Sequence, residues 1–131
     1  MRILLVDTNI VSYLMKESPL ARDYRRHLAN HSLAISFMTL AELYEGAARS
    51  NWGAEKRRSL EEILATTVVI WPDTNVCVRW GEVRAARRHQ PISPDDAWIA
   101  AVALEAGWPL VTHNARDFRT IPGLTVVSES I

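Results

Sequence analysis

Ile3-Leu4-Leu5-Val6-Asp7-Thr8-Asn9 opens the chain with four consecutive apolar residues that stop at an acid and two helix-capping side chains. A short apolar run without alternation reads as a strand buried on both faces, and the Asp-Thr-Asn after it as a helix cap. Leu33-Ala34-Ile35-Ser36, Val68-Val69-Ile70, Leu110-Val111-Thr112 and Thr125-Val126-Val127 are similar β-branched runs. Between them, Pro19 to Asn30, Thr39 to Arg49, Ala54 to Ala65, Asn75 to His89 and Pro94 to Ala106 have helical features. Gly53, Pro72, Pro91, Gly107-Trp108-Pro109 and Pro122-Gly123 mark the breaks. Strands alternating with helices predict an α/β fold, a parallel sheet covered by helices.

The 131 residues show no internal repeat, low-complexity tract or linker, so a single domain over 1–131 is expected. Apolar residues at 48% and charged ones at 23% exclude a disordered chain. Cys77 is the only cysteine, which rules out an internal disulfide. Between Val76 and Val78 it reads as a small buried hydrophobe, suited to a reducing cytoplasm. No apolar run has the length of a membrane span or the form of a secretory signal. The helix from Pro94 carries Ile99, Val102, Ala103 and Ala106 on one stripe, its expected buried face. Trp71, Trp80 and the other tryptophans read as core or interface anchors rather than substrate platforms.

Four acids stand at strand ends or helix starts. Asp7 follows the first strand directly. Glu42 closes Thr39-Leu40-Ala41-Glu42, Asp96 closes Ser93-Pro94-Asp95-Asp96, and Asp117 closes Asn114-Ala115-Arg116-Asp117. Each box taken singly is accounted for by helix capping. Together they point elsewhere, because the carboxyl edge of an open α/β sheet is where ligands bind. Four carboxylates in one cleft repel one another and stay ionised only with a cation among them. Oxygen donors suit Mg2+ or Mn2+, and no thiolate or histidine cluster argues for zinc. His27, His31, His89 and His113 lack metal-ligand spacing and stay outside the expected site.

The same residues carry a family likeness. Ile3 to Asn9, Thr39-Leu40-Ala41-Glu42-Leu43, Asp96-Ala97-Trp98-Ile99-Ala100-Ala101 and Thr112-His113-Asn114-Ala115-Arg116-Asp117-Phe118 resemble, in order, the motifs of PIN-domain ribonucleases. The likeness is nearest to VapC-type toxins of bacterial toxin–antitoxin modules and spans essentially the whole chain. It implies a three-layer sandwich with a central, mainly parallel sheet flanked by helices. It further implies that Asp7, Glu42, Asp96 and Asp117 coordinate the metal, with Thr8, Asn9, Thr112 and Asn114 as polar supports. The Asp95-Asp96 doublet leaves two carboxylates for one metal position; matching the following Ala97 to Ala101 to the motif favours Asp96. The implied activity is endoribonucleolytic cleavage, of tRNA or ribosomal RNA in many relatives. The implied partners are an RNA substrate, a cognate antitoxin and a second copy of the chain.

Metal-assisted hydrolysis by such a site leaves 5′-phosphate and 3′-hydroxyl ends, since no histidine pair is placed to deprotonate a ribose hydroxyl. Lysine plus arginine equals aspartate plus glutamate at 15 each, so RNA binding must rest on local clusters. Arg22, Arg25 and Arg26, then Lys56, Arg57 and Arg58, then Arg84, Arg87 and Arg88 form three, each equally readable as a solvated helix face. Arg116, inside the Asp117 motif, is the expected contact to substrate phosphate. An apolar surface at Val11, Tyr13 and Leu14 is either a groove for a partner helix or core. Two other functions compete. Aspartyl phosphotransfer through Asp7 is disfavoured because Asn9 stands where that chemistry needs a second acid. A non-catalytic interaction module would not require all four acids.

Overall fold

The computed structural model describes residues 2–130. In chain order it contains β1 (Ile3–Val6), α1 (Thr8–Leu14), α2 (Pro19–Leu28), β2 (Ser32–Ser36), α3 (Phe37–Arg49) and α4 (Ala54–Ala65). There follow β3 (Thr67–Ile70), α5 (Thr74–Ala86), α6 (Pro94–Ala106), β4 (Leu110–Val111), α7 (Ala115–Phe118) and β5 (Val126–Val127). The five strands form one sheet in the order β3-β2-β1-β4-β5, and every pairing is parallel. The chain builds outward from β1 to β2 and β3, then returns to add β4 and β5 on the other side. That reversal places a topological switch point beside β1, at the carboxyl ends of the strands.

Strand alternation divides the core in two. Leu5, Ala34 and Leu110 point to one face, where they meet Val83 of α5, Ile99 and Val102 of α6, and Phe118 of α7. Leu4, Val6, Ile35 and Val111 point to the other, against Ile10 and Val11 of α1, Tyr24 and Leu28 of α2, Leu43 of α3 and Leu60 of α4. Helices on both faces explain why β1 is apolar throughout rather than alternating. The three-layer expectation is met, with a sheet that is wholly parallel.

Several local expectations are corrected. α3 starts one turn early, capped by the Ser36 hydroxyl, which accepts from Met38 N at 2.9 Å. Thr39 is therefore buried inside the helix instead of capping it. Asn114 precedes α7 without a capping bond from its side chain. Cys77 is exposed: α5 turns Val76 and Val83 inward, and the next residue, about 100° further round, faces solvent. Ala106 is exposed, since α6 ends immediately after it at Gly107, whose φ of 73° suits glycine. Over its central turns α6 is buried more widely than one stripe, from Ile99 to Ala103. Trp80 and Trp98 do anchor α5 on α6, stacked with centroids 5.0 Å apart, whereas Trp71 is 64% exposed. Val11 belongs to the core, and Tyr13 lies stacked on Tyr24 at 5.8 Å.

The Tyr24 hydroxyl, fully buried, ties the last residues to the site edge. It accepts from Glu129 N at 2.9 Å and lies 2.6 Å from His113 Nδ1 and 3.3 Å from Thr112 O. Ser130 continues the strap: its hydroxyl accepts from Ala115 N at 3.3 Å, and its carbonyl accepts from Arg119. Tyr24→Phe retains the ring but leaves these groups unpartnered. The expected loss is about 1–3 kcal/mol in urea denaturation, with faster amide exchange at Glu129; an unchanged midpoint and unchanged exchange would contradict the strap.

Candidate active site at the carboxyl edge of the sheet

Asp7 is 5% exposed at the end of the central strand. Its backbone N–H donates to Val111 O at 2.9 Å, pinning it between β1 and β4. Its carboxylate accepts from Thr8 N at 2.7 Å and from the Thr112 hydroxyl at 2.6 Å. Burial raises its pKa above the ordinary value, against the lowering effect of those two bonds. Thr112 also accepts from Asn114 N at 3.0 Å, so one hydroxyl links the Asp7 carboxylate to the turn that begins α7.

Glu42 reaches the edge from the second turn of α3. Its Oε1 accepts from the Thr8 hydroxyl at 2.7 Å, and the buried Thr39 hydroxyl lies 3.2 Å from the same Thr8 oxygen. Thr39 thus supports Glu42 from within the helix, a role hidden in sequence because Thr39-x-x-Glu42 has the form of a capping box. Desolvation raises the Glu42 pKa; the Thr8 bond opposes it, and the charges of Asp95, Asp7 and Glu45 add to it.

Asp96 sits in the first turn of α6, where the Ser93 hydroxyl accepts from its backbone N–H at 3.1 Å, the cap that Ser-Pro-Asp-Asp suggests. Desolvation, followed by the charges of Asp7, Asp117 and Glu42, pushes its pKa up to about 6 from 3.8. Asp96 therefore feels the other three acids of the expected set, while its neighbour Asp95 acts on Glu42. Asp117 accepts from Asn114 Nδ2 at 2.7 Å. Asn114 serves the site by holding this carboxylate instead of capping α7. Asn9 accepts from His113 N at 3.3 Å and ties α1 to the same turn. Hydrogen bonds thus link Asp7, Glu42 and Asp117 through Thr8, Thr112 and Asn114, and Asp96 is coupled to the other acids by charge. Arg116 lies exposed on the rim.

The donor set consists of carboxylates supported by hydroxyls and an amide. Among the described residues no three acidic, histidine or cysteine side chains are gathered tightly enough to enclose an ion. The loose arrangement and the raised pKa values of Asp7, Glu42 and Asp96 fit a hard, partly hydrated dication. Such an ion retains several waters and takes only one or two carboxylates directly. The basic clusters are partly occupied by the fold. Arg25 donates to Leu14 O and Lys16 O, Arg57 to Trp52 O, and Arg87 to Asp117 O. Arg84 lies 5.3 Å over the Trp80 ring.

The raised Asp96 pKa has a defined thermodynamic sign. An acid with a raised folded-state pKa binds its proton more tightly in the native state, so stability falls as pH rises from about 4 to about 6 and then levels off. In EDTA, the melting temperature relative to that of Asp96→Asn should decline across this window, and saturating Mg2+ should restore it at pH 7. A wild-type melting temperature that rises relative to Asp96→Asn contradicts the charge crowding.

Known proteins share this sequence pattern and fold. The family model described as PIN domain matches residues 4–124. Ribonuclease VapC1 of Haemophilus influenzae strain R2866 is 36% identical over 126 residues, covering 93% of this chain and 94% of that protein. The tRNA(fMet)-specific endonuclease VapC of Salmonella typhimurium strain LT2 is 32% identical over 124 residues, with 93% and 94% covered. A toxin–antitoxin complex from Klebsiella pneumoniae contains a chain of similar structure, with a TM-score of 0.75 at 29% identity and 98% and 99% covered.

Proposed function

The chain belongs to the PIN-domain family, and from that premise we propose that it is a Mg2+- or Mn2+-dependent endoribonuclease, the toxin of a toxin–antitoxin pair. The observation that carries this reading is the crowding of Asp96 by Asp7, Asp117 and Glu42. A desolvated carboxylate whose pKa is raised further by fixed neighbouring acids marks a site suited to a cation.

Asp7, Glu42, Asp96 and Asp117 would hold the ion. When bound, it supplies an acidified water and positive charge for the scissile phosphate. The chain's own groups supply orientation. Thr8 and Thr112 fix the two buried-side carboxylates, Asn114 aims Asp117, and the Ser93 cap fixes the turn that presents Asp96. Among the described residues His113 is bonded to Tyr24 and His27 to Glu129, so neither is left to serve in a histidine pair that would deprotonate a ribose hydroxyl. The products are therefore 5′-phosphate and 3′-hydroxyl ends.

The substrate class is RNA, with tRNA and ribosomal RNA as the first candidates, and Arg116 contacts its phosphate. The controlling partner is a cognate antitoxin. No helix among the described residues is long and apolar enough to cross a membrane, and we assign the enzyme to the cytoplasm, where an exposed Cys77 stays reduced. We further assign a homodimer. Val68 on edge strand β3, Trp71 at its exit and Val78 on α5 are each more than half exposed, and an unpaired apolar edge favours a second copy.

Glu42→Gln and Asp96→Asn keep shape and much of the local hydrogen bonding while removing ligand charge. Each should lower Mg2+-dependent RNA cleavage by about a hundredfold. Parent-like cleavage by both variants, or a 2′,3′-cyclic phosphate product, would refute the mechanism. Separately, Trp71→Glu should shift the mass measured by light scattering from dimer to monomer; a parent-like mass would remove this face as the dimer contact.

A further inference from the structure

Beside Asp117 the surface opens into a polar cleft of ≈ 470 Å³, within the size range of small-ligand sites. One wall is the turn after α5, with Arg87 and Gln90; the other is α7 and its flanks, with Asn114, Arg116, Asp117 and Thr120. Arg87 fastens the two walls together. Its Nε donates to Gln90 O at 2.8 Å, and its Nη1 to Asp117 O at 3.0 Å and Thr120 Oγ1 at 3.2 Å. Gln90 N in turn donates to Arg87 O at 3.2 Å. Backbone and guanidinium bonds thus fix the two walls relative to one another.

Two lining groups remain uncommitted. Among the described residues the Arg116 guanidinium and the Gln90 side-chain amide have no hydrogen bond or ion pair. Their chemistry is complementary to the two ends of a nucleotide. A guanidinium binds a phosphodiester oxygen pair, whereas a primary amide offers one donor and one acceptor in the plane that a base edge requires. Two arginines against one carboxylate make this rim favourable for a polyanion, in contrast to the acid cluster that Asp117 shares.

We propose that this cleft is a subsite for the single-stranded nucleotide next to the cleaved bond, with Arg116 on its phosphate and Gln90 reading its base. This rests on the ribonuclease reading above and extends it to sequence selection. Unpaired RNA is the form that presents a splayed base edge to such a pocket. Arg87 acts as a positioning residue, setting the distance between the phosphate contact and the base reader.

The test uses the full-length chain with Mg2+ and a pool of short single-stranded RNAs randomised around the cleaved position, with cleavage sites counted by sequencing. The parent should prefer one base at a position flanking the cut by about fivefold or more, the lower range for one amide–base pair. Gln90→Ala should flatten that position and no other. Arg116→Ala should raise KM by up to about fivefold, with kcat retained, and reduce the salt slope of binding by about one. An unchanged base profile in Gln90→Ala, or an unchanged KM and salt slope in Arg116→Ala, overturns the subsite. So does an effect of either change on antitoxin binding alone. Absence of Mg2+-dependent cleavage by the parent would instead sink the ribonuclease reading. In that case, binding of the same RNA pool to the parent and to Arg116→Ala, by fluorescence anisotropy in Mg2+, still decides the cleft: equal affinity and equal salt slope overturn it.

Discussion

A carboxylate almost without solvent, at the end of the central strand, is the constraint around which the structure is arranged. Asp7 is covered by strands and helices on both sides, so its charge must be met by fixed donors rather than by water. Thr8 N meets one oxygen and the Thr112 hydroxyl the other. Each donor is then committed elsewhere as well: the Thr8 hydroxyl supports Glu42, and Thr112 receives Asn114 N. Satisfying one buried acid thereby aligns three segments distant in sequence. The parallel sheet makes this possible, because β1 lies between β2 and β4 and delivers all three segment ends to the same edge.

Stability is sacrificed at that edge. The first layer of donors compensates Asp7, yet desolvation penalises an ionised Asp96, and the charges of the other acids add to that penalty. A sheet evolved for stability alone would place amides or hydroxyls here. Carboxylates at this spacing are tolerable because the rest of the chain is densely buried on both faces of the sheet, and the cation of the proposed function would reverse the sign of their interaction. Under the proposed function the same crowding would oppose an RNA backbone approaching without metal, so binding would depend on cations at the rim and on the ion within.

Most of the fold was legible because β1 to β5 are apolar runs separated by punctuation, and their alternation with helices leaves few topologies. The acids were legible for a different reason: their order along the chain matched a motif set, although each alone looked like a cap. Where the reading failed, one local pattern had two physical uses. Thr39-x-x-Glu42 has the spacing of a capping box, but Ser36 captured the cap and released both residues to the site. Cys77 lies between two valines, yet helical geometry turns a residue outward irrespective of its neighbours' polarity. Tyr24 carried no signal, since its partners at Thr112, His113 and Glu129 are brought to it only by the closed sheet.

α7 shows how far the site relies on such long-range ties. Four residues are too few to hold a helix by its own hydrogen bonds, and no side chain caps its start. Asp117 nevertheless has to be presented within reach of acids on three other elements. Its turn is fixed from below by Phe118 in the core, from one side by Arg87, and from the other by Ser130 and the Tyr24 strap. Placement of the fourth acid is therefore a property of the completed fold. The elements that secure it, α2, the end of α5 and the C-terminal residues, carry none of the acids themselves.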